Sequence, residues 1–290
     1  MKSTLAGVLK SAQERFGIHH EALTHIEGGL GSQILGIISF YNQQDKFGVN
    51  VAKCDLSYFH HKDREGLWAW NLDNYGIKLE ELRKFESRGK SVLLKGKKDF
   101  LNDSEISQGY WNNSRTKYLD RFPCDVEALK SLITKVTGKS NLESYGVIHI
   151  RRGDYLQVAS KVIELHEYTH FLARIKTVLP KPSFVITDSL LTTDEKQQLE
   201  RAMGVDRDVI FLDGTGEHPF VLHCLMRRAD VLVTSNSTFS FSAGLLGKDG
   251  QVAFSPLEFH AGNGSEKYNR SFRSVGSFIA WNLDNPRGTM

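Results

Sequence analysis

The chain has 290 residues, of which 40% are hydrophobic and 24% charged, with six prolines; this excludes a disordered polypeptide and leaves room for one large domain or two. Its 37 basic and 34 acidic residues give a formal net charge of +3, too small for non-specific nucleic-acid binding as a main role, though not too small for a local basic pocket. Three cysteines, Cys54, Cys124 and Cys224, are odd in number and far apart, which indicates neither a disulfide framework nor a CxxC metal site and fits a reducing compartment.

Leu5, Val8, Leu9, Ala12 and Phe16 recur at helical spacing among Lys2, Lys10, Glu14 and Arg15, so the chain opens on an expected amphipathic helix rather than a signal peptide. No stretch approaches the ~20 apolar residues that span a bilayer. Ala22 to Ile26 then reads as a strand, followed by the loop Glu27-Gly-Gly-Leu-Gly-Ser-Gln33 and a helix from Ile34 to Gln44. Glycines such as Gly29 and Gly31 let backbone approach a ligand at a helix amino end, although a tight turn accounts for the loop equally well and its spacing is not the dinucleotide GxGxxG.

Phe47 to Ala52 is expected as a strand and Ile77 to Phe85 as a helix. Between them lies a polar loop whose adjacent His60 and His61 suit a surface better than a metal site. Ser91 to Leu94 reads as a strand, Gly109-Tyr-Trp111 gathers aromatics, and Asp125 to Val136 reads as a helix capped by Gly138. A boundary between two domains, 1–140 and 141–290, is expected where Gly-Lys-Ser-Asn interrupts the periodicity.

From Gly146 the alternation is clear. Strands are expected at Gly146 to Arg151, Ser183 to Thr187, Val209 to Leu212, Asp230 to Thr234 and Val252 to Ser255. Helices are expected at Val162 to Leu179, Thr193 to Met203, Pro219 to Arg228 and Ser237 to Leu246, with Thr192 and Glu195 at capping-box spacing. Such order implies a parallel sheet between helices, and the weaker alternation before it suggests a second such domain. The expected fold class is therefore α/β, with two Rossmann-like domains facing a cleft.

Chemistry concentrates where strands end. His149-Ile-Arg-Arg-Gly-Asp154 runs a buried strand into two arginines, which need solvent, acids or a bound anion, most naturally a phosphate. Alternation puts His149 and Arg151 on one side and Ile148, Ile150 and Arg152 on the other. Arg151 is thus assigned to the anion beside His149, and Arg152 to Asp154 or another acid; a pair of salt-bridged surface arginines is the plainer alternative. The strand Asp230 to Thr234 leads to Ser235-Asn-Ser-Thr-Phe-Ser240, where Ser237 and Thr238 sit at a helix amino end able to hold phosphate as well as to cap. Asp188 ends another strand and either caps the next helix or bonds a nucleobase or ribose. A cation, an acid and a phosphate-type helix start at neighbouring strand ends suit a nucleoside diphosphate. Asp206-Arg-Asp208 precedes a strand rather than ending one and reads as a surface turn, not a manganese site.

Five segments in order, Gly28-Gly-Leu-Gly-Ser-Gln33, Gly109-Tyr-Trp111, His149-Ile-Arg-Arg-Gly-Asp154, Thr187-Asp-Ser189 and Asn236-Ser-Thr-Phe-Ser240, resemble the bacterial α-1,2-fucosyltransferases and related inverting fucosyltransferases over about Ile26 to Pro256. That resemblance implies a GT-B architecture and transfer of fucose from GDP-β-L-fucose to a sugar hydroxyl, with inversion and without a metal or other cofactor. It implies that Arg151 contacts the β-phosphate, that Ser237, Thr238 and Phe239 contact pyrophosphate and nucleoside, and that Asp188 contacts guanine. The chain departs from the family at Phe241 and Ser242, where two tryptophans are common, at Ser32 in place of asparagine, and over Ile34 to Ile38.

The acceptor's proton has two candidate bases, Glu27 beside the glycine loop and Asp154, each with an equally good structural role as turn cap or arginine partner. The implied partner is a glycan acceptor, in one version lipid-linked, for a cytoplasmic protein that could be peripheral to the inner membrane. Another linkage, a protein acceptor and a non-catalytic nucleotide-sugar or glycan binder stay open.

Overall fold

The computed structural model describes residues 21–60, 69–87, 119–153, 156, 162–204, 206, 208–214, 216–256 and 278–281. The amphipathic N-terminal helix, the strand Ser91 to Leu94, the segment Gly109 to Trp111, His61 and Asp154 lie outside the described residues. The chain divides into two compact units, Met1–Phe100 and Leu101–Met290. Among the described residues no helix is long and apolar enough to cross a membrane.

The first unit is built on a parallel strand–helix–strand: β1 (Ala22–His25), α1 (Leu30–Phe47) and β2 (Ala52–Asp55), with Ala22 opposite Ala52 and His25 opposite Asp55. Helix α1 begins inside the glycine loop, earlier than its sequence suggests, and runs through Phe47. Its Ile34, Leu35, Ile37, Ile38 and Phe40 are all inaccessible to solvent, so burial all round holds it rather than one apolar stripe. The strand expected at Phe47 to Ala52 is therefore displaced: Gly48 caps α1 by donating to the Gln44 carbonyl, and pairing begins only at Ala52. Beyond β2, Cys54 pairs with the segment at Glu86, and a short helix, α2 (Leu79–Arg83), replaces the longer one expected. Burial pushes the Cys54 thiol up to about 12, the mark of an inert core cysteine.

Among the described residues the second unit carries six parallel strands, β3 (Gly146–Ile150), β4 (Ser183–Thr187), β5 (Val209–Asp213), β6 (Val231–Val233), β7 (Val252–Pro256) and β8 (Phe278–Trp281), in the order β5-β4-β3-β6-β7-β8. Its helices are α3 (Val126–Thr137), α4 (Leu165–Ile175), α5 (Thr193–Met203), α6 (Pro219–Arg228) and α7 (Thr238–Leu245). The sheet starts in its middle, winds outward to β5, then returns to β3 and winds the other way. The reversal leaves a crevice at the carboxyl ends of β3 and β6, the place where doubly wound sheets bind ligands.

Alternating residues of each strand feed two cores. Ile148, Ile150, Val185, Val231 and Val233 pack with Tyr168, Leu172 and Ile175 of α4 and Leu199 and Met203 of α5. Val147, Phe184, Ile186 and Leu232 pack with Leu129, Leu132 and Ile133 of α3, Leu225 and Met226 of α6 and Ala243 of α7. Strands buried on both faces explain the continuous apolar runs in their sequences. Full burial of each Leu or Ile here contributes about 1.5–3 kcal/mol. Helix α3 thus belongs to the second unit, and the boundary expected at 138–145 falls inside it. The interruption at Gly138 is only a helix end, its amide donating to the Thr134 carbonyl.

Candidate active site

The two faces of β3 deliver the parity read from its sequence. Val147 joins the core under α3, α6 and α7, while Ile148 and Ile150 join the other. His149, on the first face, is 2% exposed, and its Nδ1 lies 2.8 Å from Ser235 Oγ. Burial, reinforced by the charge of Arg151, pushes the imidazole down to about 3. His149 is therefore a neutral, buried ring that meets the site's Ser235 hydroxyl.

Arg151 follows on the same side, its Nη1 2.8 Å from Asp188 Oδ2 at the end of β4. The other carboxylate oxygen, Oδ1, accepts a 2.8 Å hydrogen bond from the Arg152 amide. Asp188, expected at a nucleobase or ribose or as a helix cap, here holds the turn that carries both arginines. Gly153 makes that approach possible, since a Cβ there would stand 2.3 Å from Asp188 Oδ2.

Arg152 points to the opposite face and pairs with Glu195 in the first turn of α5. Burial works against the Glu195 charge, but the Thr192 amide and hydroxyl and the Arg152 guanidinium outweigh it and hold the carboxyl below its ordinary value. The acid that balances Arg152 among the described residues is thus the capping-box glutamate.

Across the crevice, β6 runs into Thr234, Ser235, Asn236 and Ser237, all 5% exposed or less. Ser237 caps α7, its Oγ accepting from the Phe239 amide at 3.3 Å. None of the residues in the first turn of α7 is acidic, and the amide donors and partial positive charge of a helix start favour an anion. Thr238 and Phe239 are half-buried. The Ser235 amide donates to Ser240 Oγ at 3.2 Å while its hydroxyl meets His149, so β3 is joined side chain to side chain with the first turn of α7. Phe239 lies between two buried imidazoles, His149 at 5.6 Å and His223 at 5.5 Å, and His223 Nε2 is 3.0 Å from Ser242 Oγ.

The structure thus gathers His149, Arg151, Arg152, Asp188, Ser237, Thr238 and Phe239 around the carboxyl ends of β3, β4 and β6. A guanidinium and a capped helix amino end at one crevice can take an anion's charge from two sides.

The remaining candidates, Glu27, Gly29 and Gly31, lie in the first unit. Gly29 is the residue before α1, Gly31 lies in its buried first turn, and Glu27 is exposed. The loop is fixed by Gln33, which is fully buried. Its Nε2 donates to the carbonyls of Gly28 and Ala69, both at 2.8 Å, and its Oε1 accepts from the Asn71 amide at 2.9 Å. Gly28 adopts φ +75, which a side chain would strain. At the same strand ends, His25 Nδ1 is 2.6 Å from Asp55 Oδ2, and His60 pairs with Glu86 at 2.9 Å.

Sequence reasoning missed Ser235, Glu195 as an arginine partner, Gln33 and the His25–Asp55 pair. Glu195 and Gln33 did carry a signal, the first in the capping box and the second as an amide closing a glycine loop.

No protein-family model matches the sequence, and no curated protein matches it. Among solved structures, the protein is similar to POFUT1 in complex with GDP-fucose, at 12% identity and a TM-score of 0.45 over 82% of this chain and 97% of that one. It is also similar to POFUT1 in complex with GDP, at 11% identity and a TM-score of 0.43 over 83% of this chain and 98% of that one. A family 9 glycosyl transferase from Veillonella parvula DSM 2008 matches at 10% identity and a TM-score of 0.41, over 91% of this chain and 86% of that one. At such values it is the residues of the site that must carry a functional reading.

Proposed function

We propose that the protein is an inverting fucosyltransferase of GT-B type that moves L-fucose from GDP-β-L-fucose to a sugar hydroxyl, forming an α-1,2 linkage without a metal. The observation that carries this reading is that Arg151, just past the end of β3, and the Ser237-capped amino end of α7, just past β6, follow neighbouring strands at the point where the sheet order reverses. Attack on the anomeric carbon sends an electron pair onto the β-phosphate of GDP. A guanidinium and helix amides that take up that charge stabilise it as it develops, an effect worth about 10²-fold or more in rate for a single preorganised donor. Arg151 takes the β-phosphate, Ser237 and Thr238 the pyrophosphate, and Phe239 the nucleoside. Asp188 releases Arg151 to the phosphate while keeping the Arg152 amide. The acceptor is a glycan, and the site of action the cytoplasm.

Incubation with GDP-β-L-fucose and a panel of sugar acceptors in the presence of EDTA tests the reading, with the product linkage read by NMR. An α-1,2-linked α-L-fucoside is expected. A different linkage revises the acceptor side. Slow hydrolysis of the donor with no acceptor giving product makes the protein a nucleotide-sugar binder instead.

A further inference from the structure

Two cysteines far apart in the sequence meet within the second unit. Cys124 lies between Phe122 and Asp125, just before α3, and Cys224 lies in α6, a helix that packs against α3. The chain on either side of Cys124 is fixed. The Phe122 carbonyl accepts from Arg227 Nη1 at 2.5 Å, and Asp125 caps α3, its Oδ1 accepting from the Ala128 amide at 2.9 Å. Arg227 follows Cys224 by one turn of α6, so both project to the same side of that helix, toward the segment that carries Cys124. The two thiols are hydrogen-bonded to one another, and the Cys224 sulfur also takes the Asp125 backbone amide. Cys224 is fully buried, whereas Cys124 is half-buried and so within reach of a small reagent.

The surroundings make the two sulfurs unequal. The hydrogen bond from Cys224, joined by the charges of Arg227 and Arg228, outweighs burial and brings the Cys124 thiol down to about 7. The same hydrogen bond, with burial, drives the Cys224 thiol up. Tyr145, whose hydroxyl donates to the Leu225 carbonyl of α6 at 3.0 Å, also lies beside the pair, and burial keeps it neutral. Asp125 spends its carboxylate on the start of α3. A thiolate is the nucleophile of thiol–disulfide exchange, and a thiol that ionises near ambient pH attacks fastest. Cys54 is the contrast within the same chain, buried and pushed up to about 12.

We propose that Cys124 and Cys224 form a thiol–disulfide site that reacts with small disulfides, Cys124 as the attacking sulfur and Cys224 as the resolving one. Cys124 first gives its proton to solvent. Its thiolate bonds one sulfur of the small disulfide, whose S–S bond breaks with the electron pair leaving on the other sulfur, and that sulfur takes a proton from solvent and departs as a thiol. Cys224 Sγ then bonds Cys124 Sγ, the mixed S–S bond breaks onto the second small sulfur, and the Cys224 proton passes to it. The two cysteines are oxidised to one disulfide, and the small disulfide is reduced to two thiols. The new bond, about 2.05 Å long and so shorter than the hydrogen bond it replaces, ties the start of α3 to α6.

The test exposes the folded full-length chain to oxidised glutathione and maps its cysteines by mass spectrometry, with iodoacetamide labelling rates followed against pH and thermal melts recorded for wild type and Cys224→Ala. Wild type is expected to form the Cys124–Cys224 disulfide, to retain no glutathione, to leave Cys54 free and to recover all its thiols with dithiothreitol. Cys124 is expected to label at least about tenfold faster than Cys54 at neutral pH, its rate rising through about pH 7. In Cys224→Ala the reaction is expected to stop at a glutathione adduct on Cys124, and the rise in labelling to move to higher pH, because the thiol that steadied the charge is gone. The proposal is overturned if wild type keeps every thiol, if it holds glutathione on Cys124 without closing the internal bond, or if Cys124 labels no faster than Cys54. These readings of wild type decide the matter even where Cys224→Ala fails to fold.

Discussion

Asp188 grips the end of β3 twice, with Oδ2 2.8 Å from Arg151 Nη1 and Oδ1 taking the Arg152 amide at 2.8 Å. The carboxylate fills the space a Gly153 side chain would need, 2.3 Å from where its Cβ would stand. Because both oxygens are tethered, it cannot step aside cheaply. Gly153→Ala should cost about 1–3 kcal/mol of stability, the usual range for overpacking. In an Asp188→Ala background the same change should cost distinctly less. Urea midpoints of the four proteins check this, and equal costs in both backgrounds would show that the two positions do not interact.

Asp188→Asn separates two roles for the acid. The substitution keeps an oxygen for the Arg152 amide but withdraws the charge facing Arg151, whose side chain is 21% exposed. Discounted for that partial exposure, the loss to the free protein is about 1 kcal/mol. A bound phosphate would supply the missing charge. The rise in melting temperature on adding GDP should therefore be larger in Asp188→Asn than in wild type. A smaller rise would place Asp188 on the nucleotide itself.

Buried neutral histidines make stability depend on pH. His149 is pushed from 6.5 down to about 3 by burial and by Arg151, and burial likewise drives His223 well below its ordinary value. In the unfolded chain each takes a proton near its ordinary value, but in the fold neither does until far lower pH. Unfolding therefore takes up protons, and for His149 stability present above pH 6.5 is lost as pH falls towards about 3. His149→Gln should flatten that dependence by up to about 1.4 kcal/mol per pH unit. Denaturation midpoints between the two limits measure it, and an unchanged slope would mean that the ring is charged in the fold.

Gln33 holds the glycine loop by three hydrogen bonds from a fully buried side chain. Gln33→Ala removes the Gln33 partner of the Gly28 carbonyl and the Asn71 amide, while the Ala69 carbonyl keeps the Asn71 Nδ2 donor at 2.7 Å, and should cost about 1–3 kcal/mol. Hydrogen exchange should show the loss in the backbone around Gly28 and Asn71 first. Uniform loss through the second unit would contradict so local a role.

Much of this was legible because it follows from alternation. The division of Arg151 from Arg152 needed only the period of a strand, and helices α5 and α6 needed only a capping box and a proline at a helix start. Strand Ser183–Thr187 was read to the residue from its apolar run and the turns around it. Where the reading slipped, the cause was tertiary. Phe47 looks like a strand residue but is the half-buried last residue of a helix held by the full burial of its earlier turns. Gly138 looks like a linker but ends a helix packed on the second sheet. The strand order, and with it the crevice, depends on which strands become neighbours, which periodicity does not encode. Asp188 illustrates the same limit, since sequence shows an acid at a strand end but not that the next strand's arginines are close enough to claim it.

The account rests on an anion, read as GDP, taken by Arg151 at the start of α7. Calorimetric titration of GDP into wild type and Arg151→Ala, with melting temperatures recorded for both, tests it most directly. Wild type should bind, and loss of a charge-assisted hydrogen bond of about 1.5–3 kcal/mol should weaken Arg151→Ala by roughly tenfold to a hundredfold. No heat of binding in wild type, or equal affinity in a folded Arg151→Ala, would contradict the account.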